Sequence, residues 1–132
     1  MSTAINWFEL PAIDFDRARS FYEAVLGTEL KVDTSGRMPM AFFPYSEGKG
    51  TGGAIVKSEH ARPGTDGPIV YLDTRGSLER CLRRVEAAGG KVIVPVTDIG
   101  PHGRFAILID SEGNRVGLHE PRAATSAASA AA

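Results

Sequence analysis

The feature that most constrains this chain is internal repetition: it runs twice through one order of local signals, a strand, a capped helix, a glycine stop and three further strand-like runs. In the first pass a strand from about Ile5 to Leu10 ends at Pro11, and Asp14 offers an oxygen to cap a helix. Ala18, Phe21, Tyr22, Val25 and Leu26 then recur at three- and four-residue spacing as one apolar stripe, and Gly27 stands where a left-handed stop is needed. Strand-like runs follow at Glu29 to Val32, Met40 to Tyr45 and Ala54 to Val56. In the second pass Ile69 to Asp73 is the strand, Ser77 the cap, Leu78, Cys81, Leu82 and Val85 the stripe, and Gly89 with Gly90 the stop. Runs at Lys91 to Val94, Phe105 to Ile109 and Arg115 to His119 complete it. A shift of 63 positions superimposes the halves without a gap, matching Gly27 with Gly90, Phe42 with Phe105 and Gly50 with Gly113.

One such unit cannot bury both faces of its own sheet, so two copies must share their apolar surfaces. The pattern predicts an α+β fold, two tandem βαβββ modules forming a cup-shaped sheet with helices outside and a pocket within. Module 1 falls at about 4–57, module 2 at about 68–120, and both lie in a single domain, 1–122. The connector, 58–67, is polar and carries Pro63, Gly64, Asp66 and Gly67. Residues 123–132 are only Ala, Ser and Thr and read as a disordered tail.

With 15 basic against 16 acidic residues there is no electrostatic footprint for nucleic acid. No apolar run is long enough to cross a bilayer, and Met1 to Leu10 lacks the basic and apolar regions of a signal peptide, which predicts a cytoplasmic protein without a membrane partner. Cys81 is the only cysteine, so an internal disulfide and a thiolate metal site are excluded, and its place on the helical stripe makes it a core residue.

Two stretches carry a family resemblance: FELPAIDFDRARSFYEAVLG, from Phe8 to Gly27, and IDSEGNRVGLHE, from Ile109 to Glu120. They are similar to the strand-Asp-helix opening and to the Asp-x-x-Gly-Asn hairpin of the glyoxalase, bleomycin-resistance and extradiol-dioxygenase (vicinal oxygen chelate) superfamily. The resemblance implies paired βαβββ modules, a small-molecule ligand or substrate and a homodimer. It also implies a divalent metal held by His, Glu or Gln on the first and last strands of each module. Here the corresponding positions hold Trp7, Ala54, Gly117 and either Val70 or, if the second strand slips by one residue, Ile69. None of these side chains offers a lone pair, which predicts no metal and no cofactor.

Polar chemistry is then left to Glu9 and His119, each two residues beyond an expected ligand position and so roughly 7 Å further along the same strand face. If their strands are neighbours, the pair is a candidate general acid/base dyad, or half of a displaced metal site. Alternatively Glu9 satisfies only His119 or a backbone group. Trp7, Phe42, Phe105 and, if it faces inward, Tyr71 are candidate ligand-lining aromatics. His60 and His102 sit on turns, and Glu112, Asn114 and Arg115 shape a hairpin around Gly113. Two functions follow: a glyoxalase-like small-molecule enzyme of unknown substrate that uses Glu9 and His119, or a metal-free drug- or aromatic-binding protein of the bleomycin-resistance type. A third reading is a structural or regulatory dimer with no ligand.

Overall fold

The computed structural model of the chain describes residues 4–36, 38–45 and 50–122; the tail at 123–132 lies outside the described residues. The first half runs through β1 (Trp7–Pro11), α1 (Phe15–Leu26), β2 (Lys31–Asp33), β3 (Met40–Phe42) and β4 (Gly52–Val56). The second runs through β5 (Val70–Asp73), α2 (Leu78–Arg84), β6 (Lys91–Asp98), β7 (Arg104–Ile109) and β8 (Arg115–Glu120), with a short 3-10 turn at Gly100–His102. Each half forms a four-stranded mixed sheet in which the first strand lies parallel to the last, in the orders β1-β4-β3-β2 and β5-β8-β7-β6. The result is α+β, two tandem βαβββ units, with no closed barrel. No helix among the described residues is long and apolar enough to cross a membrane.

Local chemistry explains the elements. Asp14 accepts the backbone N–H of Arg17 at 3.0 Å and opens α1, while Gly27, at φ 67°, closes it in the left-handed region that suits a residue without Cβ. The stripe Ala18, Phe21, Tyr22 and Val25 is buried as the spacing predicts. Ser77 precedes α2 but makes no side-chain cap; the Leu78 N–H is taken instead by Glu120, 3.2 Å away at the end of β8. Strand β6 runs on to Asp98, past Pro95, where the sequence pattern stops at Val94. It can do so because it is an edge strand with register shifts on either side of Val94, so the missing proline N–H breaks no essential ladder bond.

Each sheet turns one face to the helices, and these two faces merge into one apolar core. Leu10, Phe21, Tyr22, Ala41 and Ile55 come from the first half, and Leu72, Leu78, Val85, Leu108, Val116 and Leu118 from the second. Cys81 lies in this core at 2% exposure.

The halves are joined by the hairpin between β7 and β8. Glu112, whose side chain is fully buried, accepts the N–H groups of Ile13 (2.9 Å) and Asp14 (2.7 Å) just before α1, and pairs with the Arg17 guanidinium at 2.7 Å. Asn114 donates to the Pro11 carbonyl at 2.8 Å, and the buried Tyr22 hydroxyl donates to Asp110. Asp110 in turn accepts the N–H groups of Glu112 and Asn114, which fixes the turn itself. Burial, aided by the Asp110 carboxylate, holds the Tyr22 phenol in its neutral, donating form.

The repeat is not uniform along the chain. Ala12 donates to the Val56 carbonyl, and Thr74 occupies the same position against His119. Phe15 begins α1 three residues after Ala12, whereas Leu78 begins α2 four residues after Thr74. The second half therefore carries one additional residue in this turn, accommodated by positive φ at Arg75 (55°) and Gly76 (80°). As a result Ile69, not Val70, corresponds to Trp7; Val70 packs toward the core and Tyr71 faces away from it. Phe42 pairs with Ala54, while Ile107 pairs with Gly117, so Phe42 corresponds to Ile107 rather than to Phe105.

Burial opposes ionisation of Glu112, but the Arg17 guanidinium, the N–H groups of Asp14 and Ile13 and the Ser111 hydroxyl outweigh it and bring its pKa from 4.5 down to about 2. The sign is that of a depressed carboxylate: the stabilisation is complete above about pH 4.5 and is lost as the pH falls toward 2. It amounts to about 3 kcal/mol. Urea unfolding of the Glu112→Ala protein should show a loss of about 2–3 kcal/mol at pH 7, and the difference from the parent should shrink as the pH is lowered from 5 to 3; a constant difference would contradict this assignment.

Candidate functional site

The faces that point away from the helices carry nearly all the residues singled out in the sequence. On the first sheet, Trp7 and Glu9 of β1 stand with Ala54 and Val56 of β4 and with Met40 and Phe42 of β3, as the strand register requires. Trp7 packs against Phe42, ring centroids 6.0 Å apart, and edge-on against Tyr45 at 6.3 Å. Its indole N–H donates to the Glu9 carboxylate at 3.2 Å. Tyr45, just beyond β3, was not among the residues the pattern identified; its ring lies back over Gly52, where an added Cβ would meet it at 2.4 Å.

On the second sheet, Tyr71 of β5 and Phe105 of β7 meet edge to face at 6.1 Å. His119 of β8 stands opposite Asp73 on one side and Phe105 on the other. The Tyr71 ring lies against bare backbone at Gly117, where a Cβ would come within 2.2 Å of Cδ2. The His119 ring nitrogen Nε2 is 2.7 Å from the His102 carbonyl, on the loop between β6 and β7. The neighbouring Glu120 turns to the helix side, where Arg104 and the Leu78 N–H hold its carboxyl below the usual carboxylate range. His60 lies on an exposed turn, its N–H bonded to the Ser58 hydroxyl.

The structure thus gathers Trp7, Glu9 and Phe42 on one sheet and Tyr71, Phe105 and His119 on the other. Strands β1 and β8 are not neighbours: β1 borders only β4, and β8 lies between β5 and β7. This removes the condition under which Glu9 and His119 form a dyad within one chain; Glu9 is bonded to Trp7 and His119 to His102. Among the described residues no ring contact or side-chain hydrogen bond links the two outer faces. Two shallow surface depressions lie elsewhere. One, of about 100 Å³, is lined by Gly103, Arg104, Glu120, Pro121 and Arg122. The other, of about 520 Å³, lies beside the start of α1 and Lys57.

The side chains present do not fit the divalent metal that the family resemblance implies. At the corresponding positions an indole, a methyl, a branched alkyl chain and a glycine offer no lone pair, and the Tyr71 ring fills the space where a side chain on Gly117 would begin. Among the described residues no three His, Cys, Asp or Glu side chains are grouped to hold a cation.

Comparison with known proteins places this geometry. The family model of the Glyoxalase/Bleomycin resistance protein/Dioxygenase superfamily matches residues 4–118. The chain is 28% identical, over 115 residues, to a "Glyoxylase-like domain-containing protein" of Didymella fabae, covering 83% of this chain and 88% of that protein. Among solved structures, it is similar to a glyoxalase/bleomycin resistance protein from Albidiferax ferrireducens T118 (TM-score 0.68, 17% identity, 89% of this chain and 99% of that one). It is also similar to TnmS3, an antibiotic binding protein from Streptomyces sp. CB03234 (TM-score 0.61, 24% identity, 92% of this chain and 98% of that one). At these identities the structural likeness speaks for the fold.

The stacking of Tyr71 on Gly117 can be measured. Gly117→Ala should cost about 1–2 kcal/mol, because the ring must leave the strand, and the cost should fall by more than half when the same substitution is made in a Tyr71→Ala background. Additive costs in that double-mutant cycle would show that the ring does not rest there.

Proposed function

The chain belongs to the glyoxalase/bleomycin resistance protein/dioxygenase superfamily, and on that premise we propose that it is a metal-independent binding protein for a small, planar aromatic molecule. The observation that carries this reading is the replacement of lone-pair donors by rings and small residues: Trp7, Phe42 and Tyr45 surround Ala54 and Gly52, and Tyr71 with Phe105 covers Gly117. Aromatic rings beside bare backbone present flat apolar surface with a defined quadrupole, which suits offset or edge-on stacking with a planar ligand. Glu9, held by the Trp7 N–H, and His119, held by the His102 carbonyl, supply directional polar contacts at the margin of these surfaces. The description of TnmS3 as an antibiotic binding protein is compatible with such a role.

We further propose that the working form is a homodimer. The two outer faces belong to separate four-stranded sheets, and in this reading a closed site is formed by the first sheet of one copy over the second sheet of another. The arrangement also supplies the context for a second reading, a glyoxalase-like enzyme of unknown substrate. Glu9 of one copy and His119 of the other are then the candidates to exchange a proton with a substrate. What favours this reading is that both side chains are oriented by a hydrogen bond while remaining on the outer faces.

Trp7 is the only tryptophan, so its emission reports directly on the first face. Titration with planar aromatic compounds should quench it saturably, with the same affinity before and after treatment with a chelator, and Tyr71→Ala or Phe42→Ala should weaken binding by up to about tenfold. Sedimentation should report twice the 14.0 kDa chain mass. Binding or turnover that requires an added divalent cation would overturn the metal-independent reading; turnover lost in both Glu9→Ala and His119→Ala would establish the enzymatic one.

A further inference from the structure

Among the described residues the His119 ring makes one hydrogen bond, through one nitrogen, and that bond determines what the other nitrogen can do. Its Nε2 is 2.7 Å from the His102 carbonyl oxygen. A carbonyl only accepts, and a ring carbon does not approach an oxygen so closely, so Nε2 carries the proton in this contact. In the neutral ring Nδ1 is therefore a lone pair, and among the described residues it has no partner.

The His102 carbonyl is itself held firmly. The loop from Asp98 to Gly103 is closed by Ile99 N–H to Gly103 carbonyl (2.9 Å) and by Gly103 N–H to Gly100 carbonyl (3.0 Å). Asp98 accepts the Gly100 N–H at 2.7 Å, and Arg122 donates to the Gly100 carbonyl at 2.7 Å. Gly103, at φ 98°, passes so close to the end of β8 that a Cβ there would lie 2.0 Å from the Glu120 carbonyl oxygen. The loop is thereby pressed onto the strand that carries His119. On the outer face His119 stands opposite Phe105, which packs on Tyr71.

We infer that the loop is a tautomer lock: the His102 carbonyl holds His119 as the Nε2–H form, so that Nδ1 is a fixed hydrogen-bond acceptor for a hydroxyl or N–H borne on the edge of an aromatic ring stacked at Tyr71 and Phe105. This names the ligand class for the binding role proposed above and rests on that reading. A ring without a donor gains nothing from His119; a phenol-type ring gains one hydrogen bond in a half-buried setting. No proton needs to be transferred, and the loop residues act only by positioning.

Two measurements on the full chain test this separately. Nitrogen-resolved NMR of the imidazoles in the ligand-free protein should show His119 as the Nε2–H tautomer at a pH where the ring is neutral; the Nδ1–H tautomer would overturn the lock. Calorimetric titration with naphthol and with its methyl ether compares two rings that differ in one donor. The parent should bind naphthol about fivefold more tightly than the ether. His119→Asn, whose amide oxygen takes the place of Nδ1, should keep that preference, and His119→Gln, whose amide reaches the place of Nε2, should lose it. Equal affinity of the parent for both compounds, with the Nε2–H tautomer present, would remove the acceptor role and leave the aromatic-binding reading standing. Failure of both compounds to bind would remove both readings.

Discussion

A single buried carboxylate, that of Glu112, makes two repeats into one molecule. It lies in a hairpin of the second half yet satisfies the two N–H groups that precede the first helix of the other half, and it draws Arg17 across the junction. The adjacent Asp110 and Asn114 complete the joint through Tyr22 and the Pro11 carbonyl. Left unpaired, any of these groups would make the merging of the two cores costly, because each would be taken out of water without replacement. The charge is tolerated in the interior only because every oxygen lone pair has a donor.

This joint also decides where the molecule can be functional. Drawing the helix-bearing sides together commits Phe21, Tyr22, Leu108 and Leu118 to the shared core, and it leaves the opposite faces of both sheets half-exposed. Those faces are lined by residues that a stable core does not call for: Tyr71 at 47% and Tyr45 at 48% exposure, with Glu9 and His119 beside them. Stability is thus assigned to one side of these strands, and the recognition role proposed above falls to the other, residue by residue.

Much of this was legible in the sequence because it is locally determined. The Asp14 cap, the Gly27 stop, the buried stripe of α1 and the order of strands all follow from patterns a few residues long. So does the alternation that sets Trp7 with Glu9 and apart from Phe8 and Leu10. What could not be read depends on distance. Glu112 looks like a turn residue because its partners lie about a hundred positions away. The additional residue between β5 and α2 is absorbed by positive φ at Arg75, an arginine that no turn pattern flags. Tyr45 belongs to the outer face only because its ring folds back over Gly52. That β1 and β8 are not adjacent is a matter of sheet order, which a one-dimensional repeat does not encode.

The single-residue difference in that turn reaches beyond alignment. It sets Tyr71 where the first half has Glu9 and Ile69 where it has Trp7, and the separate difference in strand pairing sets Ile107 where the first half has Phe42. The two faces descend from one pattern but no longer mirror each other: one is an indole-centred surface edged by a carboxylate, the other a tyrosine surface edged by an imidazole. In the binding role proposed above, a molecule held between such faces meets a carboxylate at one end and an imidazole nitrogen at the other. It is therefore read with a head and a tail, and a compound that is itself symmetric forfeits half of what the site offers.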